Sequence, residues 1–231
     1  MSIAANLQQI QAQVKQAAAK TGRDFSGLKI IAVTKYVGVT EMNEVIRAGI
    51  TDIGENRVQD AKAKFPFLEN PPSGAKLTRH LIGTLQTNKV KAALAEFDLI
   101  HSVDRMELVE ALAKEAAKLD RRVELLIQLN ISGETTKHGL RPGDFPILLD
   151  KIKSFQNLVP CGLMTMAPLT DDPEKTRPVF RQLKTIFDET AKTLKNAPHW
   201  RYLSMGMSQD YRVAVEEGAN LLRIGTAIFK P

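Results

Sequence analysis

The feature that most constrains the fold is a regular alternation of short β-rich runs with longer segments of helical period. Eight runs are candidate strands: residues 30–34, 52–55, 80–83, 99–102, 123–130, 160–164, 201–204 and 221–224. Strands that alternate with helices predict βα units and a parallel sheet. Eight such units in 231 residues favour a single (β/α)8 TIM barrel, an α/β fold, over an open doubly wound sheet.

An extra helix is predicted before the first strand. Apolar residues recur at spacings of three and four from Ile3 to Ala17, with Ser2 as the N-cap and Gly22 near the end. The last predicted strand is followed by only seven residues after Ile224, so a helix is missing there. We expect the N-terminal helix to supply it.

Three further helix starts are indicated by their capping residues. Thr40 is a candidate N-cap for a helix that ends at Gly49. Asp104 and Glu107 have the spacing of a capping box. The proline after Asp172 suits the first position of a long helix with one apolar stripe.

The organisation of the chain predicts one domain over residues 1–231, because no Gly/Ser-rich or Pro-rich linker interrupts it. The longest apolar run has four residues, so no membrane partner is expected. The N-terminus lacks the pattern of a secretory signal, and the single cysteine, Cys161, agrees with a reducing compartment. These features predict a cytoplasmic protein.

Charge and histidine spacing argue against two kinds of partner. The net charge is +6 without a clustered basic patch or an aromatic platform, which predicts no nucleic-acid binding but suits phosphorylated small molecules. The four histidines have no metal-site spacing, so no metal is expected. P-loop and Gly-x-Gly-x-x-Gly patterns are both absent, which disfavours a nucleotide cofactor.

A lysine stands at the end of the first predicted strand, where a barrel of this type builds its site. Lys35 directly follows the apolar run at residues 30–34. Desolvation at an apolar barrel mouth favours a neutral, nucleophilic amine that can form a Schiff base. The alternative is a lysine that merely extends to solvent.

Two glycine-bearing segments, 204–206 and 223–226, follow strands seven and eight, where such barrels often bind phosphate. Gly206 and Gly225 would let backbone N–H groups approach phosphate oxygens, and Ser204 and Thr226 add hydroxyl donors. The alternative is that the glycines only satisfy tight turns. A lysine and a phosphate cup together suit an aldehyde that carries a phosphate, such as pyridoxal 5′-phosphate (PLP).

Over almost its whole length the chain resembles the YggS/PROSC-type pyridoxal phosphate homeostasis proteins. The matching segments are 32–35 (AVTK), 54–60 (GENRVQD), 80–89 (HLIGTLQTNK), 101–104 (HSVD), 130–134 (NISGE), 137–139 (KHG), 162–164 (GLM), 203–208 (LSMGMS) and 223–229 (RIGTAIF). The resemblance implies a barrel like the N-terminal domain of alanine racemase. Departures are Tyr36 after the lysine and Lys230-Pro231 at the end, and neither touches the implied contacts.

The resemblance implies PLP as the cofactor and a role for each matching residue. Lys35 would carry PLP as a Schiff base, and Arg223 would face the pyridine nitrogen. The other implied contacts are Ser204, Gly225 and Thr226 at the phosphate, Asn56 near the ring hydroxyl, and His80 and Met164 along the pocket. For His80 and Met164, ordinary barrel packing is an equal alternative.

The same residues favour a PLP-binding homeostasis protein that is not an enzyme. A cationic Arg223 favours the unprotonated pyridine, which is a weak electron sink. Such a carrier would hand PLP to apo PLP-dependent enzymes and is expected to be a monomer. The alternatives are an alanine-racemase-like enzyme, which needs a second base, and a Schiff-base aldolase acting on a phosphorylated sugar, for which Glu55 is the obvious acid/base partner.

Overall fold

The computed structural model describes residues 2–24, 26–194 and 197–230. The strands are β1 Lys29–Val33, β2 Asp52–Glu55, β3 Thr78–Leu81, β4 Leu99–Val103, β5 Val123–Gln128, β6 Leu158–Met164, β7 Tyr202–Ser204 and β8 Leu221–Ile224. They form a closed barrel in chain order, and β1 pairs with β8 in parallel. The predicted (β/α)8 barrel is therefore confirmed.

Helices connect the strands around the outside of the barrel. They are α1 Ile3–Lys20, α2 Val39–Arg47, α3 Val58–Lys64, α4 Val90–Glu96, α5 Met106–Lys118, α6 Phe145–Lys153, α7 Arg177–Thr193, α8 Tyr211–Glu216 and α9 Thr226–Phe229. Helix α1 is the predicted extra helix, and the side chain of Ser2 caps it by accepting from the N–H of Ala5. It is fixed beside α8 and α9, because Asn6 donates to the carbonyl of Ile228 and Tyr211 bonds to Gln13. The prediction that no helix follows the last strand is wrong, because the short helix α9 follows β8.

Two of the predicted helix caps are wrong. Helix α2 begins after Gly38, whose N–H donates to the carboxylate of Glu41, so Thr40 lies inside the helix. Helix α5 begins after Arg105 without a side-chain cap. Asp104 accepts from the guanidinium of Arg105 over 2.8 Å, and this ion pair uses the carboxylate that a capping box would need.

The third predicted start is nearly right. Asp172 accepts from the N–H of Glu174, but the first turn, Pro173–Thr176, is a 3-10 helix and α7 begins at Arg177. Strand β3 starts two residues earlier than predicted. Its first residues, Thr78 and Arg79, are half-buried and polar, so they lack the apolar signal of the other strands.

The barrel has two apolar layers because strand residues alternate between its two faces. Ile30 and Ala32 pack outward with the helices, whereas Ile31 packs inward. The inward cluster consists of Ile31, Leu99, Leu126, Val159, Cys161, Met164 and Leu221. The same alternation turns polar residues inward where their neighbours pack outward: these are Asp52, His80, His101, Ser204 and Arg223. The lumen is thus partly polar.

Among the described residues, no helix has the length and apolar character that crossing a membrane requires.

Candidate functional site

A cavity of about 1100 Å³ opens at the C-terminal end of the barrel. Segments that follow β1, β2, β3, β7 and β8 contribute to its wall. Among the predicted site residues, the lining contains Lys35, Asn56, Arg223, Gly225 and Thr226. The structure therefore brings five of the eight together in one space.

Lys35 lies on the turn that follows β1 and reaches the mouth of this cavity. Its Nζ is 4.9 Å from the ring centroid of Tyr36, which is 78% exposed. The lysine side chain is itself exposed, which differs from the desolvated amine expected from the sequence. The reason is that β1 ends at Val33 and Lys35 lies in the exposed turn that follows. The amine is thus open to ligands that enter from solvent.

The loops after β7 and β8 are tied together at the cavity wall. The Oγ of Ser208 accepts hydrogen bonds from the N–H of Gly225 over 3.3 Å and of Ala227 over 3.2 Å. An oxygen held by two backbone N–H groups has the environment that a phosphate oxygen prefers. This hydroxyl keeps its own proton to donate, and Thr226 offers another at the same wall.

The two glycines of the expected cup differ in what they do. Gly225 lies against the end of β1, where an added Cβ would be 3.2 Å from Val33. Gly206 has a φ of +93°, and an added Cβ would be 2.6 Å from Ala214 on α8. Gly206 is therefore required for a left-handed turn and close packing, as in the alternative interpretation.

Asn56 has an unsatisfied polar atom beside the cavity. Its Oδ1 is buried and has no hydrogen-bond partner among the described residues. The neighbouring wall is tight, because a Cβ added at Gly83 would be 2.3 Å from the carbonyl oxygen of Asn56. A buried polar atom without a partner is costly, so a ligand with a hydroxyl group fits this position.

Arg223 forms part of the cavity floor. It is only 4% exposed, and its Nη1 donates to Ser204 over 2.6 Å while Nη2 donates to the carbonyl of Thr165 over 2.8 Å. Burial lowers the pKa of Arg223 to about 10, an effect that the nearby Asp210 opposes. The guanidinium therefore stays cationic at neutral pH.

Three of the predicted contacts lie below the cavity and not in its lining. Ser204, His80 and Met164 point into the lumen, where all three are buried. Met164 packs in the inward apolar cluster. Ser204 and His80 belong to a continuous hydrogen-bonded series that also contains His101 and Asp52. Met164 therefore has an ordinary packing position in the barrel, whereas His80 is held by polar partners.

Two ionisable groups of this series, Asp52 and His101, have shifted pKa values. Burial raises the pKa of Asp52, but hydrogen bonds from His80, Thr51 and Lys29 outweigh it and lower the pKa to about 2. Burial lowers the pKa of His101 well below 6.5, and the charge of Arg223 acts in the same direction. The lumen therefore holds a carboxylate at one end and a neutral imidazole at His101.

The charge of the cavity lining has one sign. Five cationic residues contribute to it: Lys35, Arg57, Lys89, Arg223 and Lys230. The lining residues that the structure describes include no Asp, Glu or His. Glu55 does not reach the cavity because it is buried, with Oε1 accepting from Thr34 over 2.8 Å and from Lys64 over 2.9 Å. The cavity suits an anionic ligand.

Sequence reasoning missed Ser208, His101 and Asp52 as parts of the site. Ser208 lies inside the matching segment 203–208, but the phosphate contact was predicted at Ser204, the last residue of the strand. His101 and Asp52 each precede or follow apolar strand residues that pack outward. The period-two pattern of the strands could therefore have placed both side chains in the lumen.

Comparisons with known proteins identify relatives of this chain. A profile of the alanine racemase N-terminal domain matches residues 5–231. A pyridoxal phosphate homeostasis protein of Aquifex aeolicus is 37% identical over 230 residues, which are 99% of this chain and 98% of the relative. The crystal structure of an unknown protein from Bifidobacterium adolescentis has a TM-score of 0.91 at 31% identity, covering 98% of this chain and 94% of that one.

A solved structure with a ligand is also similar. PipY of Synechococcus elongatus PCC7942, with PLP bound, has a TM-score of 0.77 at 36% identity. The alignment covers 94% of this chain and 99% of that chain.

Proposed function

The chain belongs to the pyridoxal phosphate homeostasis proteins within the alanine racemase N-terminal domain family, and from this we propose that it binds PLP and holds it for intracellular PLP homeostasis. Support comes from its relatives: the protein of A. aeolicus carries that name, and PipY has been solved with PLP bound. The proposal treats residues 1–231 as one binding domain, which acts in the cytoplasm as a monomer. It takes apo PLP-dependent enzymes as the recipients of PLP.

One observation carries the proposal most strongly. An accessible lysine amine and a buried arginine line the same cavity, and no carboxylate stands among the described lining residues. A phosphorylated aldehyde needs both an amine and an anion-binding wall. When bound, PLP supplies an aldehyde carbon for condensation with an amine, with loss of one water molecule, and an electron-withdrawing ring.

Different cavity residues contact different parts of PLP in this proposal. We assign the Schiff-base linkage to Lys35 and the pyridine nitrogen to Arg223. Ser208 and Thr226 would donate hydroxyl protons to the phosphate, with Gly225 holding the backbone close. The orphaned Oδ1 of Asn56 would accept from the ring hydroxyl. In this assignment Ser208 has the role at the phosphate that was expected of Ser204.

The second part of the proposal is that the protein is a carrier and not an enzyme. A guanidinium cannot accept a proton, so Arg223 leaves the pyridine nitrogen unprotonated and weakens electron withdrawal. Racemisation also needs a second base, and the described lining offers no Asp, Glu or His for it. The aldolase alternative loses its acid/base partner because Glu55 is bound to Lys64 and Thr34 away from the cavity.

Borohydride trapping tests the linkage. PLP is added to the protein, the C=N bond is reduced to a stable amine, and the labelled peptide is mapped. We expect the label at Lys35 and its loss in Lys35→Ala. Lys89→Ala is the matched control, since Lys89 lines the same cavity, and it should be labelled like the unmodified protein. A label mainly on Lys89 or Lys230, or no PLP binding at all, would contradict the proposal.

A further inference from the structure

A hydrogen-bonded series crosses the lumen from the cavity floor toward the opposite end of the barrel. It connects Arg223, Ser204, His101, His80 and Asp52 through four bonds. From Arg223 to Asp52 the distances are 2.6, 3.0, 3.0 and 3.0 Å. All five residues are buried, and they come from β8, β7, β4, β3 and β2. Only Arg223 lines the cavity.

The two ends of the series have fixed hydrogen-bonding roles. Asp52 is a carboxylate that can only accept, so His80 donates to it through Nε2–H. An imidazole that carries its single proton on Nε2 accepts at Nδ1, so in this arrangement the proton of His101 is on Nε2.

The direction continues to the cavity floor. The Nδ1 of His101 is then an acceptor, and the hydroxyl of Ser204 donates to it. The Oγ of Ser204 in turn accepts from Nη1 of Arg223, which can only donate. One set of tautomers, with both imidazoles neutral, therefore satisfies the whole series without conflict.

We infer that Asp52, His80 and His101 are positioning residues, which orient the hydroxyl of Ser204 and thereby hold the guanidinium of Arg223 toward the ligand. This inference rests on the proposed PLP site. None of the three reaches the cavity, so their effect on the ligand is transmitted through Ser204.

The orientation of the Ser204 proton matters because two hydrogen bonds hold the guanidinium of Arg223. Its Nη1 bonds to Ser204 and its Nη2 to the carbonyl of Thr165, so these two bonds set the plane of the guanidinium. If the proton of Ser204 turned toward Arg223, two donors would face each other across 2.6 Å. A buried charge that loses a partner in this way is strongly destabilised, and Arg223 would move.

The remote end of the series provides the test. In Asp52→Asn the amide can donate as well as accept, so the whole series can reverse: His80 would carry its proton on Nδ1, and His101 would donate to Ser204. Asp98→Asn is the matched control. Asp98 pairs with Lys76 and accepts from the N–H of Arg79, and it has no bond to the series.

Two measurements are made on each variant and on the unmodified protein. The first is ¹⁵N NMR of labelled histidines without PLP, in which His80 and His101 should both carry the proton on Nε2. In Asp52→Asn a fraction of each should change to Nδ1–H. The second is PLP titration, in which Asp52→Asn should bind about fivefold more weakly and show a displaced absorption band, as expected for one hydrogen bond of ordinary net strength. Asp98→Asn should match the unmodified protein in both.

Two results would overturn the inference. One is a proton on Nδ1 of His101 in the unmodified protein. This NMR result can be obtained even if Asp52→Asn does not fold. The other is an Asp52→Asn protein that folds and binds PLP with the affinity and spectrum of Asp98→Asn. An unmodified protein that binds no PLP would contradict the proposed function instead, and the NMR measurement distinguishes that failure because it needs no ligand.

Discussion

The hydroxyl of Ser208 joins the loop after β7 to the loop after β8, because its oxygen accepts from the N–H of Gly225 over 3.3 Å. Ser204 stands four residues earlier and bonds to Arg223 below the cavity. Two serines of one segment thus serve different parts of the proposed site.

We expect Ser208→Ala and Ser204→Ala to differ in ligand dependence. Ser208→Ala should weaken PLP binding by about tenfold, because a charge-assisted hydrogen bond is lost. The affinity for pyridoxal, which lacks the phosphate, should stay nearly unchanged. Ser204→Ala should weaken both ligands alike, because it acts through Arg223. Calorimetric titration with the two ligands measures this. Equal effects of Ser208→Ala on both ligands would place the phosphate elsewhere.

Lys35→Ala should leave the fold intact. The side chain is exposed, and such substitutions usually change the free energy of unfolding by less than about 0.5 kcal/mol. The melting temperature without PLP should therefore match that of the unmodified protein. Added PLP should raise the melting temperature of the unmodified protein much more than that of the variant. A large loss of stability without PLP would show that Lys35 has a structural role that its exposure does not suggest.

Gly83→Ala should damage the wall on the other side of the cavity. Its Cβ would stand 2.3 Å from the carbonyl oxygen of Asn56, so the backbone of that loop must move. We expect weaker PLP binding and a lower melting temperature. Gly143→Ala is a control without crowding, since an added Cβ there meets nothing within 4 Å. Unchanged PLP affinity in Gly83→Ala would mean that the position of Asn56 does not matter to the ligand.

The barrel could be predicted from the sequence more completely than the site. The strands were found because runs such as 221–224 are apolar and stand between helices, and the barrel closes them in the expected order. The place of Lys35 after β1, at the cavity, could be predicted from the barrel, but its exposure could not. The different positions of Ser204 and Ser208 could not be predicted from sequence order. Ser204 faces the lumen, whereas Ser208 lies at the cavity wall, beyond the turn at Gly206.

Stability should fall in mild acid because of His101. Its pKa in the folded protein is well below 6.5, whereas the unfolded chain has the ordinary value. Below pH 6.5 the unfolded state therefore binds a proton that the native state does not, and the free energy of unfolding falls by up to about 1.4 kcal/mol per pH unit. Full stability is present above pH 6.5.

Urea unfolding between pH 7.5 and pH 5 measures this slope. His101→Asn removes the titrating group, so its stability should depend less on pH in that interval. Replacement of the exposed His138 by Gln should leave the slope unchanged. A slope that is equal in His101→Asn and the unmodified protein would show that His101 does not titrate abnormally.

The protein should bind PLP without turning over amino acids. A cationic Arg223 cannot protonate the ring nitrogen and so weakens its electron withdrawal, and the described lining has no carboxylate or histidine to act as the second base that racemisation needs. PLP-loaded protein is incubated with L-alanine in D₂O, and the amino acid is followed by proton NMR and by chiral chromatography. We expect no sustained α-proton exchange and no racemisation. Exposed Lys35 still permits slow exchange of its linkage with an added amine, so release of PLP in a single event is compatible with the proposal. Multiple turnovers at about 1 per second or faster, the range of ordinary enzymes, would restore the racemase-like alternative.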